Sequence, residues 1–184
     1  MTPEAEVLPG FKWPVGASRV IAAPPDRVWE VISSPGLMPH YHPFCKENRV
    51  RSWPDPDSRD EIQYFSGWVL ERNITDWIDG VGFDLEIGRS GGRTSTVTWR
   101  ITDCADQKSA LRITIYPHAL QHLPVLARWF PHALYLGPQL SRYLGSVVKG
   151  LDWFITFGEP VRRNQFGSHQ WFSPPIPAQA ENAP

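Results

Sequence analysis

Cysteine is scarce in this 184-residue chain: Cys45 and Cys104 are its only two. That excludes a disulfide framework, and their spacing is not the C-x-x-C of a redox or zinc motif. A basic excess is also missing. Lys and Arg number 18 against 19 Asp and Glu, for a formal net charge of -1. Binding to nucleic acid by phosphate neutralisation needs such an excess, so no nucleic-acid partner is expected. No run approaches the ~18 apolar residues of a membrane span. The opening MTPEAEVLPGFKW places acids and prolines where a signal peptide needs a basic start and an apolar core. Reduced cysteines and no leader together predict a cytoplasmic protein. With 41% hydrophobic and 20% charged residues the chain is not disordered, and its length suits one domain of roughly 100–200 residues.

Aromatics are abundant instead, with nine Trp, nine Phe and five Tyr. They supply large buried area and also line apolar pockets. The arrangement along the chain is ordered. Residues 1–15 read as an extended arm. The segment Ala17–Ala23 reads as a strand, and Pro24-Pro25-Asp26 opens a helix carrying Val28, Trp29, Val31 and Ile32. Ser33-Ser34-Pro35-Gly36 stops it, and the Pro-punctuated Leu37–Phe44 reads as a second short helix or turn.

Period-two alternation then runs from 46 to 116. Strands are expected over Glu47–Trp53, Glu61–Ser66, Trp68–Ile78, Val81–Ile87, around Val97–Ile101 and around Leu111–Ile115, with Asp79-Gly80 as a tight turn. Such a meander has one apolar face that needs a cover. Between Gly137-Pro138 and Gly158, about 20 residues make roughly 30 Å of helix, with Leu140, Leu144, Val147, Leu151 and Phe154 on one face. Gly145 and Gly150 inside it each cost about 1 kcal/mol against Ala, which predicts a kink or a close contact. Residues 117–136 form an apolar insert broken by Pro117, Pro124 and Pro131, and residues 159–184 a Pro-rich tail that Gln165-Phe166 and Trp171-Phe172 could anchor.

This order describes an α+β, helix-grip architecture. A curved antiparallel sheet of about six or seven strands wraps a long C-terminal helix, with a short helix pair after the first strand. Ser18–Ile32, with its Pro25-Asp26-Arg27-Val28-Trp29 helix opening, and Tyr41-His42-Pro43-Phe44 resemble the START-like (SRPBCC) superfamily. That group includes the birch pollen allergens, lipid-transfer START domains and polyketide cyclase/dehydratase-like proteins. The resemblance covers about residues 16–158. It implies a cavity between sheet and helix that binds a lipid, quinone, polyketide or similar hydrophobic small molecule, without a metal or other cofactor. A minority of members catalyse reactions there. Fold alone does not decide between these.

Residues with polar or aromatic chemistry at expected inward positions are the site candidates. His42 could orient a polar ligand group or move a proton. Arg72 and Asp76 share parity with Trp68, Leu70, Ile74 and Ile78. An unbroken strand buries both, about 13 Å apart at roughly 3.3 Å per residue, and a buried charge needs a partner. Arg72 is therefore expected to anchor an acidic ligand group, unless a bulge turns one or both outward. Tyr64, Phe83, Trp99, Leu151 and Phe154 are further cavity candidates, with plain core packing as the competing reading. Trp129 and Phe130 in the insert are gate candidates, with transient membrane contact, a fixed plug or a dimer contact as readings of that patch.

Other patterns are weaker. Gly88-Arg89-Ser90-Gly91-Gly92 matches G-x-S-x-G but joins two strands, so it reads as a hairpin loop. His40, His42 and Cys45 lack a fourth ligand, and His118 with His122 lacks the H-E-x-x-H glutamate, so no metal is expected. The leading expectation is binding, transport or sequestration of an apolar molecule. A cyclase/dehydratase- or isomerase-like enzyme and a protein-interaction module through 117–136 are the alternatives. Oligomeric state is not legible.

Overall fold

The computed structural model describes residues 13–54, 57–119 and 124–175, with the side chains of 125, 126 and 128 outside that description. Seven strands, β1 (Val15–Ile21), β2 (Cys45–Ser52), β3 (Arg59–Tyr64), β4 (Val69–Ile78), β5 (Gly82–Gly88), β6 (Thr94–Cys104) and β7 (Lys108–Tyr116), form one antiparallel sheet. Its order is β1-β7-β6-β5-β4-β3-β2. Consecutive strands from β2 to β7 are neighbours because each joins the next by a short turn. β1 closes the other edge by pairing with β7, from Val15 opposite Ile115 to Ile21 opposite Ser109.

β1 starts and ends two residues before the alternation suggests. Past Ile21 the Ser109 hydroxyl donates to the Ala23 carbonyl at 2.9 Å, replacing the ladder with a side-chain bond. The chain then enters α1 (Pro25–Ser33), where Val28, Val31 and Ile32 are buried, and the one-turn α2 (Met38–Tyr41).

The C-terminal helix α4 (Gly137–Phe157) runs the length expected and stops at Gly158, whose φ of +70° is the left-handed conformation of a glycine stop. Its Leu140, Tyr143, Leu144, Val147, Val148 and Leu151 are buried. Close backbone approaches tie α4 to β1, β7 and α2. The two internal glycines differ. A methyl at Gly150 would sit 2.1 Å from the Tyr41 carbonyl oxygen, so this glycine is where α4 meets α2 rather than the sheet. Gly145 faces open space and makes no such contact.

Within the described part of the insert, α3 (Val125–Pro131) runs into a π-helical turn, His132–Leu136, that leads directly into α4. The segment after α4 is anchored. His169 bridges Ser173, and Phe172 packs among Tyr64, Tyr143 and His169.

One strand departs from strict alternation. β4 carries a bulge between Ile74 and Asp76, so Ile74 lies opposite Leu85 and Trp77 opposite Phe83. An extra residue inverts the side-chain parity beyond it. Trp77 therefore turns into the core, while Asp76 and Ile78 turn to solvent. This corrects the expectation of a buried Asp76.

Candidate functional site

A cavity of about 580 Å³ lies between the sheet and α4. Its walls come from β3 to β7, α2 and α4, and Trp171 with Phe172 closes one side. Most of the lining is apolar, with aliphatic side chains such as Leu70, Leu85, Ile113, Ile115, Leu144 and Val147 beside aromatic ones. Alternation puts the sheet residues there, and Leu140, Leu144 and Val147 come from the helical spacing of four and three. The lining also includes Arg89, Gly92 and Arg93, all exposed, so the cavity reaches the surface beside the β5–β6 hairpin loop. Gly88-Arg89-Ser90-Gly91-Gly92 is that loop, and no helix follows it.

The polar part of the wall is small and organised. His42 follows α2 in extended conformation, because its backbone N–H closes the α2 turn on the Met38 carbonyl at 2.9 Å. Its Nε2 lies 2.9 Å from the Tyr143 hydroxyl of α4, which lies 3.0 Å from the Tyr64 hydroxyl at the end of β3. On the far side of the imidazole, the Phe44 backbone N–H donates to Nδ1 at 3.3 Å. Beside this chain, Arg72 of β4 is paired across the strands with Asp60 of β3. The guanidinium Nε donates to Asp60 Oδ1 at 2.7 Å and Nη2 donates to Oδ2, with both residues buried.

Burial dominates the electrostatics. His42 is pulled down to about 3, first by burial and then by the Arg72 charge. Burial pushes Tyr143 up to about 12 and holds Tyr64 well above the ordinary phenol range. Burial likewise lifts the Cys45 thiol to about 12. Burial opposes the Arg72 charge, but the Asp60 carboxylate more than offsets it, and the guanidinium stays protonated. At neutral pH this buried cluster therefore holds a neutral imidazole, neutral phenols and an internally compensated ion pair, and the Arg89 and Arg93 charges lie at the exposed end of the cavity.

Of the residues singled out from sequence, His42, Tyr64, Arg72 and Trp99 line the cavity. Phe83 lies next to it in an aromatic cluster, stacked on Trp77 at 5.9 Å and on Trp99 at 5.6 Å. Leu151 and Phe154 lie on the lining face of α4 but past the Gly150 contact with α2. There the helix is already packed, and Phe154 meets the His40 ring. Trp129 and Phe130 are 57% and 63% exposed and lie outside the cavity wall. Leu136, at the end of the π-helical turn, is the insert residue in the lining nearest α4.

Tyr143 and Asp60 escape sequence reasoning, and Phe172 is legible there only as an anchor for the tail. Tyr143 stands three residues after Leu140, on the same helical face, and that spacing was its signal. Asp60 shares the parity of Ile62 and Tyr64, which marks it as inward once β3 starts at Arg59. Phe172 had no periodic signal. Among the described residues, no three His, Cys, Asp or Glu side chains converge so as to hold a metal ion. Cys45 donates to the Glu47 carbonyl, and His118 exchanges hydrogen bonds with Ser95. His122 lies outside the described residues. No described helix is long and apolar enough to cross a membrane.

A family model described as polyketide cyclase / dehydrase and lipid transport matches residues 12–148. No curated protein matches the sequence. Solved structures share the fold at low identity. DynU16, a protein in the dynemicin biosynthetic locus, superposes with a TM-score of 0.62 at 16% identity, over 81% of this chain and 49% of its own. This chain thus spans about half the length of DynU16. CalU16 from Micromonospora echinospora has a TM-score of 0.57 at 14% identity, over 79% and 77% of the two chains. A START superfamily protein from Mycobacterium smegmatis has 0.58 at 12% identity, over 78% and 97%.

Proposed function

We propose that this chain, which belongs to the polyketide cyclase / dehydrase and lipid transport family, binds a neutral apolar small molecule in the cavity between its sheet and α4, acting in the cytoplasm as a carrier or sequestering protein. The observation that carries this reading is the cavity itself. About 580 Å³ lined mainly by aliphatic and aromatic side chains, with a few convergent polar groups, is the form of a small-molecule site. Binding would draw on apolar burial at roughly 25 cal/mol per Å², and the polar wall would set orientation.

The pKa directions support binding over acid–base catalysis. A general acid or base works best with a pKa near the operating pH. His42 at about 3 and Tyr143 at about 12 both lie far from neutrality, so the chain serves as a fixed hydrogen-bonding platform. Arg72 is occupied by Asp60, which speaks against its expected role as an anchor for an acidic ligand group.

Organic extraction of freshly purified protein followed by mass spectrometry tests the reading, with uptake of an environment-sensitive apolar dye as its complement. A stoichiometric apolar molecule or saturable dye binding is expected. Extracts free of ligand, from protein that also fails to take up dye, would sink it.

A further inference from the structure

The hydrogen-bond chain on the cavity wall has one donor too many, and the surplus has a direction. Because the Phe44 N–H donates to His42 Nδ1, that nitrogen offers its lone pair and the neutral imidazole carries its proton on Nε2. The Nε2–H therefore donates to the Tyr143 oxygen at 2.9 Å. The Tyr143 and Tyr64 oxygens lie 3.0 Å apart and either can donate; donation from Tyr143 makes the chain run head to tail. This head-to-tail order lets each bond polarise the next, which favours it over two donors converging on one phenol oxygen. The Tyr64 hydrogen is then left with no acceptor among the described residues. Tyr64 is only 1% exposed and lines the cavity. A buried donor without an acceptor is unfavourable until something accepts from it.

We propose that the Tyr64 O–H is the recognition donor for a neutral acceptor oxygen of the bound molecule, a ketone, quinone or ester carbonyl. This rests on the cavity-binding reading and narrows its ligand class. A carboxylate fits poorly, because the neighbouring Arg72 charge is already taken by Asp60. Arg89 and Arg93 also line the cavity but sit at its exposed end, so an anion desolvated beside Tyr64 would find its buried neighbour already paired. An ammonium or other donor-only group would meet the Tyr64 hydrogen head-on. A carbonyl accepts it and adds no charge to the buried wall.

Fluorenone and fluorene, rigid analogues that differ by one carbonyl oxygen, are the probes. Their affinities are measured by displacement of an apolar dye from the full chain, for the wild type, Tyr64→Phe and Tyr143→Phe. The wild type is expected to prefer the ketone by about three- to tenfold, the worth of one neutral hydrogen bond. Tyr64→Phe should bring the ratio near one without weakening fluorene binding. Tyr143→Phe, which keeps the terminal hydroxyl, should retain the preference. The carbonyl stretch of bound fluorenone should lie lower in the wild type than in free apolar solvent, a readout that needs no variant. Equal binding of the two probes to the wild type, with an unshifted stretch, would overturn the donor assignment and leave the cavity reading standing. A preference that survives Tyr64→Phe but vanishes in Tyr143→Phe would overturn the assignment to Tyr64. Failure of both probes to bind the wild type would overturn both the proposal and the cavity reading.

Discussion

Arg72 and Asp60 stand directly opposite each other on β4 and β3, and the guanidinium grips both carboxylate oxygens inside the protein. Adjacent strands supply both halves of the pair, so neither charge depends on a ligand for compensation.

Breaking that pair from one side strands a buried charge. Asp60→Leu is expected to destabilise the fold by about 3–5 kcal/mol, because Arg72 then lacks its partner. The double variant Asp60→Leu/Arg72→Met should be less destabilised than Asp60→Leu alone, since no uncompensated charge remains. Urea unfolding of the single and double variants measures this. A double variant as unstable as the sum of the singles would show that the pair's charges are not what matters.

The His42 imidazole gives a pH dependence with a defined sign. Its proton affinity in the fold is depressed to about 3 from the ordinary 6.5. Between those values the unfolded chain binds a proton that the native one refuses, so stability rises with pH across the window and falls on acidification. The stability lost between pH 7 and full protonation is about 5 kcal/mol on the 1.36 kcal/mol-per-unit scale. His118, His132 and His169 are also lowered by burial and act in the same direction. His42→Gln should therefore flatten the stability profile between pH 4.5 and 6.5, above most carboxylate titration, without removing it. Denaturant unfolding at a series of pH values reads the slope, and an unchanged slope would show that His42 is not the coupled group.

The two glycines inside α4 should respond oppositely to the same methyl. Gly145→Ala, facing open space, is expected to stabilise by up to about 1 kcal/mol. Gly150→Ala would force a methyl to 2.1 Å from the Tyr41 carbonyl oxygen, and an overpacking cost of about 1–3 kcal/mol or more is expected. Thermal denaturation of the pair decides it.

An empty cavity and a filled core are distinguished by enlargement. Val147→Phe points a ring into the space lined by α4. If the space is open, apolar-dye binding weakens while unfolding free energy stays within about 1 kcal/mol of wild type, because the usual overpacking cost of about 1–3 kcal/mol is absent. Destabilisation with unchanged dye binding would mean the ring had displaced packed side chains.

Local chemistry made much of this molecule legible in advance. Alternation of Val81, Phe83, Leu85 and Ile87 against Asp84 and Glu86 suits only a strand with one apolar face. Pro138 and Gly158 bracket a helix whose interior repeats Leu140, Leu144 and Val147, and the helix spans Gly137–Phe157. From these periodicities the antiparallel meander, its covering helix and the inward positions of Tyr64, Arg72 and Trp99 were readable, because each depends on neighbours within a few residues along the chain.

The site itself depended on contacts that no such window contains. The bulge before Asp76 reverses parity through pairing with β5, so a count from Trp68 goes astray beyond Ile74. His42, Tyr64 and Tyr143 meet from residues 79 and 101 apart in sequence. Phe172 reaches the cavity only because the chain folds back after α4. The sequence alone determined which elements form and which faces are apolar, since those follow from local backbone and burial preferences. Tertiary structure alone decided which polar groups neutralise one another and which donor remains unspent, because hydrogen-bond partners are settled by distances between elements and not by spacing along them.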